Sequence, residues 1–130
     1  MTIRKGVRFV WVNPEISIIR YVVEGDWNWK VFHACVRISL FAMHNHPHPV
    51  HTVIDLRGST RPQMPAGLAA HARTFGKKLT PALSGRAVVI GLPPADLAAL
   101  NLGDDNTLLT PDGSVVFADD DQIIYTIFSQ

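Results

Sequence analysis

Apolar residues recur along the chain in two rhythms. From Val7 to Val12 they alternate loosely with polar ones and stop at Asn13-Pro14, which predicts a strand and a turn. Ile16 to Val23 is rich in β-branched and aromatic residues and ends at Glu24-Gly25, predicting a second strand. Two strands joined by a short turn form an antiparallel hairpin. Asp26 is then expected to cap a helix reaching about Met43. Further on, Val50 to Leu56 predicts a strand, and Pro65 opens a helix to about Lys78. Arg86 to Gly91 is a near-continuous apolar strand of the kind found buried in parallel sheets. Ala95 to Leu102 forms a short helix, and Thr107 to Leu109 a short extended piece. Ser114 to Phe117 is a last strand. Asp119 or Asp120 caps a closing helix through Phe128, with Ile123, Ile124 and Ile127 facing inward.

The order β-β-α-β-α-β-α-β-α predicts an α/β fold in one domain over residues 1–130. Its sheet is mixed but mostly parallel, with about four to five strands, an N-terminal hairpin and about four helices.

The first helix carries two apolar stripes. Trp29, Phe32, Val36, Leu40 and Met43 form one; Trp27, Val31, Ala34, Ile38 and Phe41 form the other. A helix lying on a sheet needs one apolar face. Either other parts of the same chain cover the second stripe, or Trp27, Val31, Ile38 and Phe41 form a partner interface, often with a second copy.

Composition narrows the class. Hydrophobic residues make up 47% of the 130 residues and charged residues 18%, with a formal net charge of +1. That is enough apolar material for a core and too little positive charge for dedicated nucleic-acid binding. The lone Cys35 excludes an internal disulfide and an all-cysteine zinc site. Arg20, Lys30, Arg37 and Arg57 interrupt every apolar run before it reaches membrane-spanning length, and the start of the chain lacks a signal-peptide apolar region. A cytoplasmic protein that spans no membrane is expected.

Chemistry-bearing residues concentrate in Val50–Leu68, VHTVIDLRGSTRPQMPAGL. Sites in open α/β sheets lie where strands end and helices begin. Asp55, Arg57, Ser59, Thr60, Arg61 and Gly67 are therefore the expected ligand- or partner-binding residues. A helix N-terminus and two arginines favour an anion, and Ser59 or Thr60 is a position where a phosphate would be stabilised. An ordinary polar turn, with Gly58 at a positive-φ position, explains the same residues. Asp55 stands at a strand end without a placed nucleophile, which favours a tethering role over that of a general base. His44, His46 and His48 alternate in a Pro-rich connector and are weak metal candidates, since no cysteines or carboxylates complete a site. His33 and His71 are expected to be surface or packed residues. Phosphate-binding glycine patterns are absent. The expectation is a non-enzymatic chain with no cofactor.

One family is suggested by the run of motifs. Two strands, Glu24-Gly25-Asp26-Trp27 entering a helix, the Val53-Ile54-Asp55-Leu56 strand and a helix opening on Gly67 resemble the STAS domain. That is the fold of the sporulation anti-sigma-factor antagonists and of sulfate-transporter cytoplasmic tails. The segment Val115 to Ile124 resembles its closing strand and capped helix. In the antagonists an aspartate-serine-serine-glycine motif at the start of the helix after the third strand is phosphorylated to switch partners. Here the place reads Gln63-Met64-Pro65-Ala66-Gly67, where the glycine matches and the aspartate and serines do not. The resemblance implies a regulatory, protein-interaction scaffold lacking that switch; together with the second stripe of the first helix, the expectation is a module that binds a partner protein or self-associates as a homodimer. Some branches bind nucleotide- or lipid-type ligands, which implies as an alternative a small-molecule or anion site between Arg57 and Gly67.

Overall fold

A computed structural model describes residues 6–13, 18–42, 49–60, 64–68, 70–71, 83–99, 115–118, 121–122 and 124. Its elements run β1 (Gly6–Asn13), β2 (Ile18–Gly25), α1 (Trp29–Ala42), β3 (Val50–Ser59), β4 (Leu83–Ile90), α2 (Pro94–Ala99) and β5 (Val115–Ala118). The strands form one five-stranded sheet in the order β1-β2-β3-β4-β5. β1 and β2 pair antiparallel, and every later neighbour pairs parallel. The expected α/β class, hairpin and mostly parallel sheet are therefore observed.

Strand alternation divides the core between two faces. On one face Ile19, Tyr21, Val23, Ile54, Leu56, Val89, Val115 and Phe117 are buried with Phe32 and Cys35 of α1. On the other, Ile18, Val53, Val88 and Ile90 are buried with Ile124. Where α1 meets the sheet, Tyr21 and Ser39 form a buried hydroxyl pair 2.6 Å apart. The Ser39 hydroxyl is also 2.6 Å from the Val36 carbonyl. Burial pushes the Tyr21 phenol up to about 12, against a lowering by the Ser39 hydrogen bond.

Several expectations shift. Two helices stand among the described residues, fewer than the about four expected. The helix expected from Pro65 begins later, at Leu68, with the His71 N–H donating to the Gly67 carbonyl at 3.1 Å. Its continuation through residues 72–78 lies outside the described residues. The closing helix is seen only at Gln122 and Ile124, and residues 107–109 also lie outside.

The cap of α1 is Asn28 rather than Asp26. Its Oδ1 accepts the Val31 N–H at 3.0 Å, and its carbonyl accepts the Phe32 N–H, as an N-cap does. Trp27 thus precedes the helix and escapes helical periodicity. It turns into the core, 3% exposed, instead of joining the outer stripe. β3 continues through Ser59 where a polar loop was expected, so Gly58 occupies a strand. Gly58 is not among the positive-φ glycines of the described residues. Its requirement is close approach, since a Cβ there would lie 2.9 Å from the Val23 carbonyl oxygen.

Candidate functional site

The site is built by an irregularity in β3. Val22 pairs with Asp55 and Glu24 with Gly58, so two steps along β2 match three along β3. This is a bulge, which re-aims side chains and is frequent beside functional sites. Before it, Asp55 shares the Ile18–Val53–Val88 face, while Leu56 enters the α1 face. After it, Ser59 faces α1 and accepts the Trp27 indole N–H at 2.9 Å. Arg57, inside the bulge, turns its backbone N–H to Asp55 Oδ1 at 3.1 Å.

Around Asp55 four charges interlock. Arg57 Nε donates to Asp55 Oδ1 at 3.0 Å and Arg57 Nη2 to Asp55 Oδ2 at 2.9 Å, a bidentate geometry. Arg20 Nη1 donates to the same Oδ2 at 3.0 Å. Beyond β5, Asp121 Oδ1 accepts from Arg57 Nη2 at 2.8 Å and from Arg20 Nη1 at 3.3 Å. Arg20 and Asp55 side chains are 16% and 11% exposed, and Arg57 and Asp121 42% and 43%. Burial pushes the Asp55 carboxyl upward. The Arg57 side-chain and backbone hydrogen bonds, with the charges of Arg57 and Arg20, outweigh it and leave the group below the usual carboxylate value. The side-chain hydrogen bond to Asp55 likewise holds Arg57 firmly protonated. Below them Gly91, at φ +79°, leaves room for the arginine: a Cβ there would lie 2.7 Å from Arg57 Cγ.

The chemistry of this quartet is cohesive. Two carboxylates balance two guanidiniums, tying β2 and β3 to the start of the segment after β5. A carboxylate of lowered pKa with four donors is a poor proton acceptor.

Of the residues expected to act together, the structure brings Asp55 and Arg57 into contact. Ser59 is sent to the opposite face, and the Thr60 N–H extends the β2 pairing to the Gly25 carbonyl at 3.0 Å. Arg61 lies outside the described residues, as do His44, His46 and His48. Among the described residues no group of three or more His, Cys, Asp or Glu could hold a metal. Sequence reasoning missed Arg20 and Asp121. Their signals were slight: one charge inside the apolar run Ile18–Val23, and one member of an acidic triplet.

Gly67 lies elsewhere, on the α1 side. Trp29 Nε1 donates to the Ala66 carbonyl at 2.9 Å and lies 3.3 Å from that of Pro65. Its ring stacks on His71 at 3.8 Å, and His71 Nδ1 is 2.9 Å from the Gly67 carbonyl. The Met64 N–H donates to Asp96 Oδ2 at 3.0 Å. The turn that resembles the family's regulatory segment is thus held by α1 and α2. His33 packs 5.0 Å from His71. Burial, then the neighbouring His71 and Arg37, lower its pKa. Burial raises that of the Cys35 thiol, away from nucleophile chemistry.

The outer stripe of α1 remains uncovered by the described residues. Val31 is 39% exposed, Ile38 62% and Phe41 82%. No helix of the described residues is long and apolar enough to cross a membrane. No family model, curated protein or solved structure matches the chain.

Proposed function

We propose that this chain is a non-enzymatic, STAS-like regulatory module of the cytoplasm that works by protein contact and self-associates, without a phosphoserine switch. The observation that carries the reading is the row Val31, Ile38 and Phe41, exposed on a helix whose other side is in the core. Exposed apolar rows of this kind mark interaction sites. The hairpin, α1 and parallel run supply the order of elements that the family resemblance implies. Asp55, held below its usual pKa by arginine, supports a structural rather than a catalytic strand end. The balanced charge of the quartet favours partner contact over anion capture there.

Size-exclusion chromatography with light scattering tests the reading. A dimer is expected for the wild-type chain and a monomer of unchanged circular dichroism for Phe41→Glu. A wild-type chain that stays monomeric at high concentration would overturn it.

A further inference from the structure

Two imidazoles meet outside the quartet. His33 lies on α1 four residues after Trp29, which places both on one face of the helix. His71 reaches the same face from the helical turn that follows Gly67. Its ring stacks on Trp29 with centres 3.8 Å apart and planes 6° apart. Its centre lies 5.0 Å from that of His33, with planes 31° apart. Trp29 is itself anchored, since its indole N–H donates to the Ala66 carbonyl at 2.9 Å. Both histidines are half-buried, so solvent reaches them.

Hydrogen bonding sorts the ring nitrogens. The Gly67 carbonyl 2.9 Å from His71 Nδ1 can only accept, so Nδ1 carries the proton. That leaves His71 Nε2 with a lone pair and no hydrogen-bond partner among the described residues. Neither ring nitrogen of His33 has one there. A histidine that donates one N–H to a backbone carbonyl and holds its other nitrogen bare is in the form that binds metal. Two imidazoles on one tetrahedral ion, at metal–nitrogen distances of about 2.0–2.1 Å, have ring centres about 5 Å apart. Burial, then His71 and Arg37, keep His33 in the neutral form that a metal needs. Arg37 is exposed, so water and salt screen its charge from the pair.

We propose that His33 and His71 chelate one divalent ion of the copper–zinc class, bridging α1 and the turn around Gly67. His71 binds through Nε2 and His33 through one ring nitrogen, and water fills the remaining positions. Imidazole nitrogen suits Cu(II), Ni(II) and Zn(II), and affinity among them is greatest for Cu(II). No third His, Cys, Asp or Glu joins the pair among the described residues. Calcium and magnesium, which take oxygen ligands, are therefore not expected there. The ion fastens the Gly67 turn to α1, beside the tie that Trp29 already makes to Ala66.

The test titrates the untagged full-length chain, first stripped with a chelator, with Cu(II). A His44→Gln, His46→Gln, His48→Gln background removes the connector histidines as rival ligands. Quenching of tryptophan fluorescence reads the binding, because Trp29 stacks on His71. One equivalent is expected in this background. His33→Gln and His71→Gln, each added alone, are expected to weaken it at least tenfold with unchanged circular dichroism. Zn(II) is expected to displace Cu(II) from the same site when in excess. Electron paramagnetic resonance of the one-to-one Cu(II) complex is expected to show two imidazole nitrogens, and it decides should either variant misfold. Binding that survives the loss of either histidine, or a signal from a single imidazole, would overturn the proposal. So would Cu(II) binding that vanishes with the connector histidines, which would mark adventitious binding there. None of these outcomes reads the oligomeric state, so the protein-contact reading stands or falls on its own test.

Discussion

Replacing Asp55 by asparagine keeps the side-chain volume and removes one charge from the quartet. Asp55 accepts hydrogen bonds from Arg57 N, Arg57 Nε, Arg57 Nη2 and Arg20 Nη1. An asparagine oxygen would keep those on one side only, and its amide would point donors at guanidinium donors. With the amide oxygen on the Oδ1 side, where it keeps Arg57 N and Nε, Arg20, only 16% exposed, would retain a single, longer contact to Asp121 at 3.3 Å. Breaking a buried ion pair by removing one partner costs about 3–5 kcal/mol. Water reaches Arg57 and Asp121, so the expected loss is about 2–4 kcal/mol. The chain holds three tryptophans, so urea unfolding followed by fluorescence reads the loss. With a slope of about 1.5 kcal/mol per molar, the midpoint falls by roughly 1–3 M. A double-mutant cycle with Arg20→Leu isolates the pair, with an expected coupling above about 1 kcal/mol. A loss under about 0.5 kcal/mol, or additivity in the cycle, would refute the quartet as the tie between strands. The pH dependence carries the same sign. A carboxyl whose folded pKa lies below its unfolded value of about 3.9 stabilises the fold above that pH and loses the contribution as pH falls toward the folded value. Asp55→Asn is expected to flatten that acid limb.

Gly91→Ala places a Cβ 2.7 Å from Arg57 Cγ at a left-handed φ of +79°; a loss of about 1–3 kcal/mol in urea unfolding is expected, since neither the backbone nor the inner part of Arg57 yields readily. Ser39→Ala is expected to cost more than Tyr21→Phe in the same assay. The first strands a buried phenol without its serine partner, at about 1–3 kcal/mol, while the second leaves Ser39 bonded to the Val36 carbonyl. Burial lowers the pKa of both His33 and His51 in the fold. The unfolded chain therefore binds protons first, and stability is expected to decline as pH falls below about 6.5. Thermal melts between pH 8 and pH 5 would show it (both limits about one and a half units from the free-histidine value), and a His33→Gln, His51→Gln variant would lose that slope.

Composition and periodicity were sufficient for the outline. The apolar runs of β2, β3 and β4, the hairpin and α1 follow from side chains that must leave water in alternating or helical rhythm. Asp55 and Arg57 stood out in the sequence because charges at the end of an apolar strand need a partner or solvent, and the structure pairs them with each other. The rest depended on register. The polar run after Leu56 reads as a loop, yet β2 draws it into the sheet. A bulge absorbs Arg57, and only glycine at position 58 fits against the Val23 carbonyl. That one extra residue sends Ser59 to the Trp27 side and leaves Asp55 with Arg20 and Asp121 on the other. Because strand side chains alternate, a slip of one residue would have reversed every one of those faces. Local sequence determined the apolar parts of the strands and the body of α1, and pairing with β2 extended β3 through Ser59. Only the tertiary pairing decided which charges meet, since Arg20, Asp55 and Asp121 are brought together by contacts between strands rather than by any spacing along the chain.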